Sequence, residues 1–506
     1  MMQKTWQGIL ILLLLAPLAG LLSGAGASGT GPESGVLALW GSSAAIALGA
    51  TLVALVAGGL PALILDRRRV RRGGRLSAVL LVLPLALPPW INALVWRDGL
   101  LPGADPAAFP GGGPWLMVLC SGFSLFPWVF LLLRHGLATA GRRCEEAARV
   151  AGHRPVPAFC CTTLISLLPS LGTACLIVFL ETMADYASAR ILGVETVMTR
   201  AFALWFTFDR PAAGIALLSS VVWLFVLPPL AGALLWGRRR RHPAGNTRFY
   251  ADTAAPPPGV TGRLLCLLPV VAGFLLPAAV LLHRFTGTLT RGHLSSLWPA
   301  ISGTLLVALP PLVLCGAAAF LLTDLPDSRR RRSLQTAIFM AAAVAWGLPA
   351  MATGTGLLLP GGQDSPFRLS GGLLLLTTAM SLRLFAPAWF STAPAAAALQ
   401  AGQGDMLRLY GRGPLTLIRL RLGFLRPALL CGLLLVFIGA VQELTLPLLL
   451  QGYDYDSLAL RLFYAAAAGG LQQAAAPALL ILALVLWPVM ALAWPAPEPG
   501  EGGARG

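Results

Sequence analysis

The 506 residues of this chain are 57% hydrophobic and only 11% charged, and the mean hydropathy is +0.76. A soluble domain carries about 25% charged residues, so this composition excludes an ordinary soluble protein and indicates that lipid surrounds most of the chain. The net charge of +17 does not indicate nucleic-acid binding, because the arginines stand in short runs and form no continuous basic domain.

Near the N-terminus, Lys4 precedes an apolar run from Ile9 to Leu22. This run resembles a signal peptide, but we expect an uncleaved membrane helix, since it completes an even number of helices in each half. Lys4 is the only lysine in the chain. A P-loop ATPase needs a lysine after a glycine-rich turn, so any ATP hydrolysis must come from another subunit.

Twelve stretches are long and apolar enough to cross a bilayer, which takes about 20 residues. We therefore predict an all-α polytopic membrane protein. The stretches lie near residues 8–24, 38–64, 77–97, 115–134, 164–186, 212–236, 263–283, 297–323, 334–358, 372–392, 424–444 and 473–494.

Arginine clusters follow the even-numbered stretches before the last, whereas the opposite loops are rich in Gly and Pro. The positive-inside rule places such clusters in the cytoplasm. We therefore expect a multi-pass protein of the bacterial inner membrane with both termini cytoplasmic. The clusters are Arg67 to Arg75, Arg142 to Arg154, Arg238 to Arg241, Arg329 to Arg332 and Arg408 to Arg421.

The two halves of the chain form an internal repeat. Trp40 and Trp298 open similar apolar stretches 258 residues apart, and Asp185 and Glu443 share that separation. An even number of helices in each half makes the repeat parallel. The predicted division is a first six-helix half (1–241), a cytoplasmic linker (242–262), a second six-helix half (263–496) and a cytoplasmic tail (497–506).

The sequence predicts no catalytic residue, metal site or cofactor. The eight cysteines form no CxxC pair, and neither a zinc site nor a disulfide framework is indicated. A polytopic membrane enzyme is a further alternative, but no paired-carboxylate or His-rich loop supports it.

One cytoplasmic segment carries a recognisable motif. Glu146, Ala147 and Ala148 are followed by Gly152 and then by Leu168-Pro169. This pattern resembles the EAA loop of ATP-binding-cassette (ABC) importer permeases, which docks on the ATPase subunit. The two alanines keep one helix face thin so that a partner can approach, Gly152 permits the turn that ends the helix, and Glu146 suits a helix start.

The second half carries a weaker copy of this motif. Asp405 takes the place of the glutamate, Met-Leu replaces Ala-Ala, and Gly411 ends the segment; the stretch from Gly411 to Pro427 is one residue shorter than in the first copy. The first copy has Ile165 where the family commonly has proline. The alternative is that both segments are merely good helix formers.

Further stretches are similar to those of ferric-iron importer permeases, with Ala187 and Gln442 in place of the usual Gly and Lys. The resemblance implies a type I ABC importer permease fold, two copies of a cytoplasmic ATPase, a periplasmic substrate-binding protein, and ferric iron as substrate. Thiamine or aminoethylphosphonate permeases and a twelve-helix secondary transporter are the alternatives. The matching stretches are 181–186, 193–196, 203–206, 442–444, 448–450 and 455–461.

Glu181, Asp185 and Glu443 are candidates for the translocation path or its gate, because carboxylates within a membrane are costly and usually functional. The alternative is that these acids face water at helix ends or pair with Arg190 or Arg461.

Two other polar residues lie within predicted helices. Asn92 is expected to join helices by hydrogen bonds. Arg383 is expected either to reach the membrane interface or to pair within the bundle.

Overall fold

A computed structural model of the chain describes residues 2–27, 35–66, 73–100, 112–140, 143–226, 259–286, 291–323, 329–358, 371–410, 414–450 and 455–493. These residues form helices joined by turns, and no strand occurs among them. The all-α polytopic fold class predicted from composition is therefore confirmed.

The described helices of the first half include three π-helical turns, at Trp96–Leu100, Phe159–Leu164 and Val222–Val226, and a 3-10 turn at Leu83–Ala86. The α-helices are α1 (Met2–Ala27), α2 (Val36–Asp66), α3 (Gly73–Val82), α4 (Pro89–Val95), α5 (Gly112–Ala140), α6 (Arg143–Val150), α7 (Pro155–Ala158), α8 (Ile165–Ala184), α9 (Tyr186–Leu192), α10 (Val197–Phe206) and α11 (Pro211–Val221).

The described helices of the second half include one π-helical turn, at Val271–Leu275. The α-helices are α12 (Val260–Val270), α13 (Leu276–Thr286), α14 (Arg291–Leu322), α15 (Arg329–Gly347), α16 (Ala350–Leu358), α17 (Gly371–Tyr410), α18 (Pro414–Gln442), α19 (Thr445–Leu450) and α20 (Leu458–Ala493).

Eight helices in the described part of the chain are long and apolar enough to cross a membrane, and counting two bent helix pairs as spans gives ten. The bends are 81° before Pro89 and 103° before Ala350. Both follow a proline, Pro88 and Pro349, as expected where a backbone donor is missing. The first and sixth predicted stretches appear as the shorter apolar helices Gly8–Leu21 and Pro211–Leu224, so the count of twelve stays a prediction.

The chain divides into two compact units, each made of separated stretches. The first unit comprises residues 1–44, 183–234 and 281–485, and the second comprises 45–182, 235–280 and 486–506. The predicted boundaries of the sequence halves remain a prediction.

In the first unit, α1 packs against α15 and α16, and α17 packs against α14 and α18. The helices α1 and α16 approach closely at Gly356, where an added Cβ would lie 2.0 Å from the Pro17 carbonyl oxygen. Small residues allow such backbone contact between membrane helices.

In the second unit, α5 packs beside α4 and close to α2. A Cβ on Gly122 would lie 2.6 Å from Val53, and one on Gly273 would lie 2.3 Å from the Phe123 carbonyl oxygen. Glycine is therefore required where these helices meet.

Matching hydrogen bonds occur in the two sequence halves. The Ser43 hydroxyl accepts from the Val197 N–H at 3.0 Å, and the Thr304 hydroxyl accepts from the Leu458 N–H at 2.9 Å. Each bond holds the first residue of a helix, and equivalent residues are 261 apart. The separation of Trp40 and Trp298 is 258 residues, three fewer than 261. Three residues are close to one helical turn, so a shift of this size keeps the apolar residues on the same helix face.

Candidate functional site

The helix α6 contains the first motif and presents several of its side chains to solvent. Glu146, Ala147 and Arg149 are exposed, and Val150 is 89% exposed. Val156, beyond the turn, is 72% exposed. The short alanine side chains allow a partner to approach this surface closely, and the valines add apolar area that a partner protein would cover.

The turn after α6 has the geometry that glycine favours. Gly152 has φ +89°, and its N–H donates to the Arg149 carbonyl at 3.0 Å. The His153 N–H donates to the Ala148 carbonyl at 3.1 Å. These bonds close the helix end in the manner of a left-handed C-terminal cap. Residue 152 therefore sets the direction in which the chain leaves α6.

The second motif lies at the end of α17. That helix continues to Tyr410, and Asp405 lies within it, although its side chain is outside the described part of the structure. Gly411 lies outside the described residues.

Asp185 and Glu443 occupy matching breaks between helices. Asp185 separates α8 from α9, and its carboxylate accepts from the Ser188 N–H at 2.9 Å and from the Ser188 hydroxyl. Glu443 separates α18 from α19, and its Oε1 accepts from the N–H groups of Thr445 at 3.1 Å and Leu446 at 3.4 Å. Both acids therefore cap the short helix that follows.

Glu443 also forms a buried ion pair. Its Oε2 lies 2.7 Å from an Arg383 nitrogen, and the side chains are 12% and 9% exposed. Arg383 lies well inside α17, where an unpaired charge would be costly. The structure thus brings Glu443 and Arg383 together.

The partner of Glu443 differs from those expected. Arg461 pairs with Asp456 instead, and Arg383 pairs within the bundle, which was one of its two predicted positions. Glu181 lies half-buried in the last turn of α8, one turn before Asp185.

Asn92 joins three helical segments, as predicted. Its amide donates to the Ser124 hydroxyl at 2.9 Å and to the Gly273 carbonyl at 3.2 Å, and the residue is fully buried. Gly273 lies in the π-helical turn between α12 and α13, a distortion that frees carbonyl groups from the regular helical pattern.

Sequence reasoning missed Glu145. It was passed over in favour of its neighbour Glu146, yet Glu145 is the acid of α6 that contacts the membrane span, through a 2.9 Å hydrogen bond from Thr163. The one sequence feature that points to this contact is that the stretch from the glycine to the proline is one residue longer in the first motif copy than in the second.

In the part of the chain that the structure describes, no group of three or more His, Cys, Asp or Glu side chains is placed to hold a metal ion. The candidate residues thus fall into two groups: the exposed side chains of α6, and the carboxylates of Asp185 and Glu443, which cap short helices. The apolar helices place the chain among multi-pass membrane proteins.

Comparison with known proteins narrows this class. The chain is 22% identical over 427 residues to the ferric transport system permease proteins FbpB 1 of Haemophilus influenzae and FbpB of Actinobacillus pleuropneumoniae. The alignments cover 76% of this chain and 66% and 61% of those proteins. The Fe(3+)-transport system permease protein FbpB 2 of Haemophilus influenzae is 25% identical over 204 residues, covering 40% of this chain and 38% of that protein.

The aligned part of the chain thus spans two thirds or less of these relatives. No family model matches the chain, and no solved structure matches it. The relatives confirm the resemblance to ferric-iron ABC permeases that the motifs indicated, and their names describe transport permeases.

Proposed function

We propose that this chain is the membrane-spanning permease subunit of an ABC importer of the bacterial inner membrane. It forms the substrate path, and separate ATPase subunits bind to its cytoplasmic segments. The observation that carries this proposal is the exposed α6 surface, which ends at the turn formed by Gly152. A thin, partly apolar face that is exposed to water suits a surface that a partner protein covers.

The contact residues for the ATPase are Glu146, Ala147, Ala148 and Gly152 in the first half. Asp405 and Gly411 have the corresponding role in the second half. Two ATPase copies then bind one fused permease, in keeping with its two parallel halves and with both termini on the cytoplasmic side.

Ferric iron is the proposed substrate, supported by the ferric transport that the relatives are named for. A periplasmic binding protein delivers the ion, and the permease opens a path when the ATPase pair closes. Glu181, Asp185 and Glu443 line or gate that path. The carboxylates fit a cationic substrate, because their charge lowers the free energy of a cation crossing apolar surroundings.

The proposal is tested by co-purifying the chain, in lipid nanodiscs, with candidate ATPase subunits from the same organism. The variant Ala147→Trp puts a large side chain on the thin face and should abolish ATPase binding. The matched control is Ser42→Trp, at an exposed position on the predicted outer side. A wild-type chain that imports substrate with no ATPase bound would be a secondary transporter.

The substrate is tested in proteoliposomes that contain the permease, the ATPase and the binding protein. Uptake of radioactive ferric citrate should be competed by excess ferric ion and not by thiamine or aminoethylphosphonate. Competition by either organic compound would reassign the substrate while leaving the permease class intact.

A further inference from the structure

The two copies of the coupling segment differ in how they enter the following membrane span. The stretch from Gly152 to Pro169 is one residue longer than that from Gly411 to Pro427. In the first copy a π-helical turn, Phe159–Leu164, precedes α8, whereas α18 is α-helical from Pro414 onward. A π-helical turn accommodates one additional residue in a helix, so the extra residue lies there.

This turn directs Thr163 towards α6. The Thr163 hydroxyl donates to Glu145 Oε2 at 2.9 Å, across 18 residues of chain. Its neighbour Thr162 makes the local bond usual for threonine in a helix, to the Ala158 carbonyl at 2.7 Å. One residue fewer would rotate Thr163 by about 100° around the helix axis and separate the two groups.

Glu145 is held from both sides. Its other oxygen accepts from Arg149, one turn along α6, and its side chain is 15% exposed. Glu146, the next residue, is exposed. The two adjacent glutamates therefore have different surroundings: Glu146 faces outward, and Glu145 faces the base of the membrane span.

In the second half, the residue that corresponds to Thr163 makes a different contact. By the 258-residue offset that relates Pro169 to Pro427, Thr163 matches Arg421. The Arg421 guanidinium donates to the Thr323 hydroxyl at 3.0 Å and lies 5.2 Å from the centre of the Phe320 ring. It therefore anchors the span to the end of α14, and the bond between Glu145 and Thr163 is a feature of the first half's own sequence.

We propose that Glu145 is a positioning residue that fixes, through Thr163, the angle between α6 and the membrane span that contains α8. The inference rests on the proposed function, since it concerns how movement of a docked ATPase reaches the membrane. With the bond intact, a displacement of α6 moves the base of the span. Without it, the turn around Gly152 bends and absorbs the displacement.

The test measures three quantities on the permease–ATPase complex in proteoliposomes: ATPase affinity, ATP hydrolysis and ferric ion imported per ATP. Thr163→Val keeps the shape and removes the hydroxyl. It should lower import per ATP about five-fold and change ATPase affinity less than two-fold. Thr163→Ser should restore import per ATP, and Thr162→Val, whose hydroxyl bonds locally, serves as the matched control.

Glu145→Ala should give the same defect, and the double variant with Thr163→Val should be no worse than either single variant. Unchanged import per ATP in Thr163→Val, an equal loss in Thr162→Val, or additive losses in the double variant would each overturn the inference. A wild-type chain that binds no ATPase would instead refute the proposed function.

Discussion

Removing either partner of the Arg383–Glu443 pair should strongly destabilise the protein. The two side chains are 9% and 12% exposed, and the charged atoms lie 2.7 Å apart, so solvent gives the remaining charge little relief. Breaking a buried pair in this way costs about 3–5 kcal/mol. We expect that loss for Arg383→Met and for Glu443→Gln.

The double variant should recover most of the stability, because it buries no unpaired charge and the substituted amide oxygen still accepts from the N–H groups that begin α19. We expect it within about 2 kcal/mol of the wild type. The assay is equilibrium unfolding in mixed micelles, followed by tryptophan fluorescence.

The Asp456–Arg461 pair provides the matched control. Its side chains are 34% and 32% exposed, and a pair so accessible contributes less than about 1 kcal/mol. If Arg383→Met proved no more damaging than Arg461→Met, or if the double variant lost the sum of the two single losses, the reasoning from burial would be wrong.

Two further predictions concern the gate and the backbone. The change Asp185→Asn keeps the helix cap but removes the negative charge, so ferric uptake should fall about ten-fold while ATPase binding persists. Glu195→Gln, 69% exposed, is the control, and unimpaired uptake would remove Asp185 from the path. Gly470 has φ 67° and ψ −160°, a region nearly restricted to glycine, so Gly470→Ala should lower the free energy of unfolding by about 1–3 kcal/mol. Asp209, at the equivalent position of the repeat, has φ 50°, and Asp209→Gly should change the free energy of unfolding by less than about 1 kcal/mol. Equal effects of the two substitutions would contradict this difference.

The membrane spans follow from composition because the requirement is simple: about 20 apolar residues reach across the bilayer. The breaks in two of them do not follow so readily. Pro88 and Pro349 precede sharp bends, yet Pro61 and Pro127 lie inside helices that pass as single spans. Neighbouring helices decide whether the freed backbone groups are satisfied in place, and local sequence does not contain that information.

The candidate site divides in the same way. The exposure of Glu146 follows from a polar loop between two apolar stretches. The contact of Glu145 with Thr163 depends on a single extra residue in a helical turn, which hydropathy cannot register. The partner of Glu443 was missed because Arg383 is 60 residues away in sequence, and only the packing of α17 against α18 brings the charges together.

The packing of α1 against α15 and α16 has a consequence for synthesis. These partners leave the ribosome about 300 residues after α1 does, a delay of roughly 15–60 s at ordinary translation rates. Leu14 and Leu21, fully enclosed in the finished protein, meet acyl chains in place of α15 and α16 during that interval. Lipid tails are about as apolar as the side chains of neighbouring helices, so leucines of α1 are stable in the bilayer until α15 and α16 are synthesised.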